Sequence, residues 1–384
     1  MAPLSNVRIL EFAALGPAPF CAMMLADMGA DVIRIEPVSA GTDAMRPRDP
    51  LQRSRRSIAL NLKKPAGVEV ALELVAKCDI LLEGFRPGVL ERLGLGPEAC
   101  FGRNARLVFG RMTGWGQDGP LAHKAGHDIN YVAVAGALHL IGPQGGKPVP
   151  PLNLVGDFGG GGMLLAVGVL GALLEARQSG RGQIVDASMV DGTVAMLAMF
   201  FGFRAESYFR DATGENFLAG AAPYYDTYRT RDDRYIAIGA IEPQFYNNFL
   251  EKLGIDPEAF ANAGYPHLDA QAIDSWPRLR AEIASRIRSR TRDEWIEAFK
   301  DVDACVAPVL SVAEAARHPH NVARSTFLEV DGVLQNSPAP RFSAAEVTLP
   351  RPPRRPGEDT EAVLAECGFT SERIAALRAA GILT

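Results

Sequence analysis

Up to about residue 200 the chain alternates short apolar-rich runs with longer segments of helical periodicity. Val7–Phe12 predicts a buried strand, a turn at Gly16 follows, and Ala18–Met28 fits a helix. Asp31–Glu36 predicts the next strand. This order is a β-α-β unit, which indicates a parallel sheet because parallel neighbours need a crossover connection.

The same alternation continues beyond this unit. The predicted helix Pro65–Lys77 places Val68, Ala71, Leu72 and Val75 on one face, the spacing of a half-buried helix. The next predicted elements are strands at Asp79–Glu83 and Arg106–Met112 and helices near 128–139, 162–177 and 188–202. Alternating strands and helices predict a doubly wound, Rossmann-like α/β domain.

The pattern changes after residue 202. Residues 203–223 mix glycine with polar residues and lack periodicity, which is typical of a connector. Tyr225–Thr230 and Tyr235–Ala240 flank a charged turn and predict a hairpin, and a helix is expected to begin at Pro243. Amphipathic segments continue to about residue 300, so we expect a smaller α+β domain here.

The last part of the chain is predicted to return to the first domain. Cys305–Ser311 resembles a return strand, the proline-rich tract 349–356 cannot be helical, and Thr360–Glu366 predicts a short helix. The predicted organisation is a large α/β domain over 1–202, a connector over 203–224, a small α+β domain over 225–305 and a return segment over 306–384.

Composition and charge limit the kinds of partner that the protein is expected to bind. Hydrophobic residues make up 47% and charged residues 22% of the 384 residues, which is ordinary for a soluble globular protein. A formal net charge of −5 gives no electrostatic reason to expect nucleic acid. The five cysteines form no CxxC pair and suggest reduced thiols. The reduced thiols predict a cytoplasmic protein. Charges or prolines are expected to interrupt every candidate membrane span, so no membrane binding is predicted.

Two titratable side chains, each next to a glycine and near a predicted helix start, are the main candidates for chemistry. His127 follows Gly126, and Asp157 follows Gly156 thirty residues later. Two bases on opposite faces of one carbon can remove a proton from one side and return it on the other. The alternatives are a structural histidine and an aspartate that only caps a helix.

Two glycine-containing segments are candidate ligand-binding sites. The first β-α-β unit resembles a dinucleotide site, with Glu36 twenty residues after Gly16, but the turn lacks G-x-G-x-x-G and carries prolines in place of N–H donors. The run Gly159–Gly162 is compatible either with a flat ligand at a helix start or with close packing of two backbones. Both interpretations of the run stay open.

A basic stretch between the second strand and the next helix is a candidate phosphate site. Its cations are Arg46, Arg48, Arg53, Arg55, Arg56, Lys63 and Lys64. One interpretation is a solvated basic loop, and the other is a surface for phosphates such as those of coenzyme A. Arg86 and Arg92 could add to such a surface.

Taken together, these segments resemble the family III CoA-transferases (CaiB/BaiF) and, within them, the α-methylacyl-CoA racemases. The resemblance covers nearly the whole chain, from Leu10–Pro19 to Asp303–Pro308. Gly-His-Asp-Ile-Asn-Tyr at Gly126–Tyr131 and Asn-Leu-Val-Gly-Asp-Phe at Asn153–Phe158 distinguish racemases from transferases. The transferases lack the histidine and use an aspartate at the position of Asp128 as a nucleophile.

The resemblance implies a role for each candidate. His127 and Asp157 would be the two proton-transfer bases, the backbone N–H of Asp128 would hold the thioester oxygen, and Glu242 would orient His127. No metal or other cofactor would be needed, because the coenzyme A thioester is the substrate. The expected coenzyme A contacts are Leu60, Asn61, Leu62, Lys63, Gly84, Phe85, Arg86, Arg92, Gly126, Ile129, Asn130 and Tyr131.

The resemblance also implies an interlocked homodimer with its site between the large domain of one subunit and the small domain of the other. One departure is Pro37, where close racemases can carry an arginine, and Arg34 or the Arg46–Arg56 loop is the expected replacement. The favoured hypothesis is racemisation of 2-methylacyl-CoA. The competing hypotheses are coenzyme A transfer through Asp128, and acyl-CoA binding without turnover.

Overall fold

The computed structural model describes residues 1–40, 48–206, 208–345 and 349–384. The strands in these ranges are β1 (Arg8–Phe12), β2 (Asp31–Pro37), β3 (Arg56–Leu60), β4 (Ile80–Glu83), β5 (Val108–Thr113), β6 (Gln183–Ser188), β7 (Tyr225–Arg229), β8 (Tyr235–Gly239), β9 (Val306–Pro308), β10 (Phe327–Val330) and β11 (Val333–Asn336). The α-helices are α1 (Pro17–Asp27), α2 (Pro65–Val75), α3 (Val89–Arg92), α4 (Pro97–Arg103), α5 (Asp128–Val134), α6 (Ala137–Leu140), α7 (Leu164–Ser179), α8 (Met189–Met196), α9 (Ala198–Ala205), α10 (Pro243–Lys252), α11 (Ala270–Ile287), α12 (Arg292–Phe299), α13 (Val312–Ala315), α14 (Pro319–Ala323), α15 (Thr360–Glu366) and α16 (Ser371–Ala379). A π-helical segment, Leu154–Met163, runs directly into α7.

The first six strands form one parallel sheet in the order β3-β2-β1-β4-β5-β6. Leu10 of β1 lies opposite Ile33 of β2 on one side and Leu81 of β4 on the other. The predicted α/β class and parallel sheet are therefore confirmed. The strand order changes direction between β1 and β4, and at such a switch point the loops after the two strands separate and leave a crevice.

Both faces of this sheet are covered, because alternate residues of each strand point to opposite sides. Leu10 and Phe12 of β1 join a core with residues of α2 and α15. Ile9 joins a second core on the other face with residues of α1 and α7. A sheet covered on both faces explains why β1, β4 and β5 are almost entirely buried.

Two strands of the sheet were absent from the sequence-based prediction. The polar sequence before β3 indicated a loop, yet Ser57–Leu60 is buried between β2 and the C-terminal tail. The other missed strand, β6, is an edge strand with three exposed residues and no clear alternation. In both cases, contacts with distant parts of the chain determine the structure.

The central arginines of the basic stretch, Arg53 and Arg55, are neither solvated nor part of a phosphate surface. Arg53 is fully buried and pairs with Asp27, and it also donates to Gln335 Oε1 at 2.9 Å and to the carbonyl of Asn336 at 2.8 Å. Arg55 is 2% exposed and pairs with Glu11 at 3.1 Å. These ion pairs, the buried arginine network, connect α1 and β1 to β11.

The chain divides into two compact units, and the second comprises 136–151 and 197–321. The hairpin of β7 and β8 is confirmed, and β9 pairs with β8 as the third strand of a small antiparallel sheet. Cys305–Ser311 is therefore not a return strand, and the chain returns to the first unit near Val322. The predicted connector contributes to this unit's core through Phe217, because aromatic burial outweighs the polar residues around it.

The helical segment Leu154–Ser179 differs from its prediction in two ways. It starts well before residue 162, and its 26 residues are long and apolar enough to cross a membrane by length and composition. The expectation that charges or prolines interrupt every such segment is therefore wrong here. In this structure Leu165, Val169 and Leu173 of the segment are buried against the sheet.

We predict that Arg53→Ala lowers the free energy of unfolding by about 3–5 kcal/mol, because it leaves the buried carboxylate of Asp27 without its cation. The measurement is urea denaturation followed by circular dichroism. Arg103→Ala is the control, since it breaks an exposed pair with Glu69 and is expected to cost about 0–1 kcal/mol. Equal, small effects of the two variants would contradict a structural role for the network.

Candidate active site

A cavity of about 460 Å³ opens at the carboxyl ends of the parallel strands. The loops after β1, β4 and β5 line it with Ala14–Pro17, Gly84–Pro87 and Thr113–Trp115. The cavity therefore lies at the point where the strand order reverses, which is where open α/β sheets bind ligands. His127 and Asp157 both line it, from two different elements.

His127 stands at the boundary between a loop and α5. Its backbone is extended, and its N–H donates to Asn130 Oδ1 at 3.0 Å. The side chain is exposed and lines the cavity. The ring is therefore accessible to a ligand in the cavity, with which it could exchange a proton.

Asp157 projects from the π-helical segment and is half-buried. Asn153 Nδ2 donates to its Oδ2 at 3.1 Å, and a Cβ placed on Gly16 would lie 3.2 Å from the same oxygen. Burial raises the pKa of Asp157, and the charge of Asp128 adds to the rise, while Asn153 and His127 oppose it. The carboxyl group thus holds a proton at higher pH than an ordinary aspartate, which suits a group that must also donate one.

Asp128 lies beside both candidates but is held by a different contact. The residue is 8% exposed, and its Oδ1 accepts a hydrogen bond of 2.7 Å from the backbone N–H of Asp157. This bond joins the first residue of α5 to the π-helical segment. Asp128 is not among the residues that line the cavity, whereas its neighbour His127 is.

The run Gly159–Gly162 serves close packing of backbones. A Cβ on Gly160 would lie 2.7 Å from the backbone nitrogen of Thr193 in α8, and one on Gly162 would lie 2.6 Å from the carbonyl oxygen of Pro17 in α1. The π-helical segment therefore packs directly against α8 and α1. Of the two interpretations of this run, these contacts support the packing one.

Part of the predicted coenzyme A site lines the cavity. Gly84, Phe85 and Arg86 do so after β4, as do Gly126 and Tyr131. The Phe85 N–H donates to Glu83 Oε2 at 2.7 Å and thereby fixes the start of this loop. Burial raises the pKa of Glu83 to about 6, although the same backbone bond and Arg111 lower it. Sequence reasoning gave Glu83 no role.

The other predicted coenzyme A residues do not line this cavity. They are Leu60, Asn61, Leu62, Lys63, Arg92, Ile129 and Asn130. Leu60 is buried and bridges to Leu383, and the Asn61 side chain donates to the carbonyl of Gly381 at 3.3 Å. Lys63 and Arg92 are exposed and remain available to a ligand that extends beyond the cavity.

Three of the expected replacements for an arginine at Pro37 are engaged in buried ion pairs. Arg34 is buried and pairs with Glu11 at 2.6 Å and Glu36 at 3.3 Å, and Arg53 and Arg55 belong to the same network. Arg46 lies outside the described residues. Glu36 also accepts from Ser57 Oγ at 2.5 Å, so it is not a free ribose-binding acid.

Sequence reasoning missed three further residues, one that donates a hydrogen bond to Asp157 and two that line the cavity. Asn153 was considered above only as part of a motif. Its side chain bonds to Asp157 across one helical turn, and the four-residue spacing could have suggested this bond. Trp115 and Lys124 line the cavity from the segment between β5 and α5, where no pattern indicated them. Among the described residues, no group of three His, Cys, Asp or Glu side chains could hold a metal ion.

Glu242 belongs to the second compact unit. It is exposed, follows β8 and precedes Pro243 at the first position of α10. Its carboxylate forms no hydrogen bond or ion pair with any residue that the structure describes. It is therefore available to a partner.

Comparison with known proteins gives consistent matches. A family model described as CoA-transferase family III matches residues 4–360. The chain is 41% identical over 374 residues to the alpha-methylacyl-CoA racemase of Mus musculus, covering 97% of this chain and 95% of that protein. It is 40% identical over 376 residues to the alpha-methylacyl-CoA racemase of Homo sapiens, again covering 97% and 95%. The crystal structure of a CAIB/BAIF family protein from Brucella suis superposes with a TM-score of 0.80 at 25% identity, covering 95% of this chain and 99% of that one.

We predict that Gly156→Ala disturbs the junction between α5 and the π-helical segment. The added Cβ would lie 2.5 Å from Asp128 Oδ1, so the free energy of unfolding should fall by about 1–3 kcal/mol. Gly102→Ala in α4 is the control: its Cβ meets no atom within 4 Å, and it should stabilise by about 0.5–1 kcal/mol. Thermal denaturation of both variants tests this, and an unchanged Gly156→Ala would contradict the tight junction.

Proposed function

This chain belongs to CoA-transferase family III, and from that membership we propose that it is an isomerase that racemises 2-methylacyl-CoA thioesters by proton transfer at the α-carbon. The observation that carries the proposal is that His127 and Asp157 line one cavity from two different elements. The chain is 41% and 40% identical to two alpha-methylacyl-CoA racemases, and this similarity supports the same reaction.

Two bases account for the change of configuration. His127 takes the α-proton from one face of the substrate, and Asp157 in its acid form delivers a proton to the other face. In the reverse direction the roles exchange. The raised pKa of Asp157 favours the acid form that this delivery needs.

The intermediate enolate must be stabilised between the two proton transfers. The backbone N–H of Asp128 at the first position of α5 is proposed as the donor to the thioester oxygen. This N–H makes no hydrogen bond to another described residue, as expected for the first turn of a helix. The coenzyme A moiety is proposed to pass along Gly84, Phe85 and Arg86 towards Arg92 and Lys63. The reaction as proposed invokes no cofactor.

The alternative is coenzyme A transfer with Asp128 as the nucleophile. A nucleophilic carboxylate has to reach the thioester carbon, but the Asp128 side chain is buried and accepts the N–H of Asp157. The groups that line the cavity at this point are an imidazole and a second carboxylate. This arrangement favours proton transfer over acyl transfer.

We also propose that the active enzyme is a homodimer in which Glu242 of the partner subunit orients His127. The support is the family resemblance together with the exposed, unpaired carboxylate of Glu242 in the described structure. A carboxylate hydrogen-bonded to one ring nitrogen would hold the other in the tautomer that accepts a proton.

The wild-type protein, given one enantiomer of a 2-methylacyl-CoA together with a free carboxylic acid, is expected to produce the other enantiomer and no new thioester. Chiral chromatography of the acyl group and mass analysis of the thioesters measure both outcomes. Rapid formation of a new thioester without loss of optical purity would contradict racemisation and support coenzyme A transfer.

Substitutions at Asp128 separate the same two mechanisms within the protein. Asp128→Asn keeps an oxygen acceptor for the Asp157 N–H, so racemase activity should stay within about tenfold of wild type. Asp128→Ala loses that bond and should lower kcat by a further factor of about five. If folded Asp128→Asn lost all activity and the wild-type protein formed an acyl-enzyme, Asp128 would act as the nucleophile of a transferase instead.

Mixing two inactive variants tests the proposed dimer. His127→Ala and Glu242→Ala subunits, unfolded together and refolded, should regain activity, because a hybrid contains one site with both native residues. Each variant treated alone is the control and should stay inactive. A mixture as inactive as its components would place Glu242 in the site of its own chain and contradict the shared site.

A further inference from the structure

The peptide unit between Gly126 and His127 is held at both of its polar groups by the first turn of α5. Its carbonyl oxygen, on Gly126, accepts a hydrogen bond from the Tyr131 hydroxyl. Its N–H, on His127, donates to Asn130 Oδ1 at 3.0 Å. Two consecutive side chains thus fix the plane of the peptide that precedes the imidazole.

The surroundings of Tyr131 are shaped for this contact. The residue is 7% exposed, and its ring meets Trp115 edge to face, with centroids 4.8 Å apart. A Cβ on Gly114 or Gly126 would lie 2.0 Å or 2.7 Å from Tyr131 Cε1, so glycine is needed at both positions. Burial and the charge of Asp157 raise the pKa of Tyr131, which keeps the hydroxyl a donor.

We propose that Asn130 and Tyr131 are positioning residues for His127, acting through the peptide that they hold. The proposal rests on the function proposed above. The imidazole extends from this peptide, so fixing the peptide fixes the point from which the ring reaches the cavity, while Glu242 of the partner subunit is proposed to act on the ring itself. Asp157 has separate supports in Asp128 and Asn153. Loss of the clamp, meaning the two bonds from Asn130 and Tyr131, should therefore impair one base and spare the other.

The experiment measures exchange of the α-proton with solvent deuterium, separately for each enantiomer. The enantiomer that Asp157→Ala still exchanges is the one whose proton His127 removes, and His127→Ala identifies the other. Tyr131→Phe and Asn130→Ala should each lower kcat for the His127-dependent exchange about fivefold, the effect of one hydrogen bond. They should change the Asp157-dependent exchange by less than about twofold.

Tyr228→Phe is a matched control. Tyr228 is also buried, and its hydroxyl donates at 2.6 Å to the carbonyl of Pro223, five residues earlier, the same separation as between Tyr131 and Gly126. It should lose similar stability and leave the exchange ratio of the two enantiomers unchanged. Equal losses for both enantiomers in Tyr131→Phe, or a change in KM alone, would overturn the positioning role.

A second readout does not depend on activity. The backbone N–H of His127 should exchange with solvent about tenfold faster in Asn130→Ala, and faster also in Tyr131→Phe, with no change in Tyr228→Phe. NMR of the labelled protein measures this. If the wild-type protein exchanges neither enantiomer, the proposed function fails, and the amide measurement still decides whether the clamp exists. Unchanged protection in both variants would refute the clamp.

Discussion

The hydrogen bond from the backbone N–H of Asp157 to the carboxylate of Asp128 is the contact on which the site depends. It is 2.7 Å long and joins two elements that are far apart in the sequence. One element carries His127 next to Asp128, and the other carries Asp157 itself. A buried carboxylate that accepts a backbone N–H is a strong acceptor, so the bond holds the two candidate bases at one cavity.

Two other features hold the elements on either side of this hydrogen bond in place. Glycines in the π-helical segment let it approach α1 and α8 backbone to backbone, and any side chain there would separate them. The buried arginine network ties α1 and β1 to the returning strand β11 through Arg53. The loops after β1 and β4 then flank the switch point of the sheet, and the cavity forms between them. Packing thus sets the geometry that the proposed proton transfer uses.

The sequence predicted those parts of the fold that depend on local pattern. The strands β1 and β2, the helix α2, the hairpin of β7 and β8 and the helix α15 follow from periodicity and turn residues. Long-range contacts explain what was missed. The arginines before β3 suggest a polar loop until their carboxylate partners, distant in sequence, are known. The four glycines suggest a helix boundary until the elements packed against them are known.

In the candidate site, too, some features could be predicted from the sequence and others depend on long-range contacts. Glycines beside His127 and Asp157 and a family resemblance indicated both candidates, and the structure places both at one cavity. The supports of these residues were not predictable. Asp128 was expected to contribute its backbone N–H, and its carboxylate also holds Asp157. Tyr131 was expected to contact coenzyme A, and its hydroxyl holds the peptide before His127. Such contacts depend on rotamers and burial, which a single sequence does not give.

The central claim is that two different bases act on opposite faces of the α-carbon. The most direct test is the isotopic content of each enantiomer at early conversion in D2O, starting from a single unlabelled enantiomer. With two bases, the proton delivered to the product does not come from the substrate, so every molecule of the new enantiomer should carry deuterium. A product fraction that retains the substrate's own α-hydrogen would show that one base serves both faces, and would contradict the account.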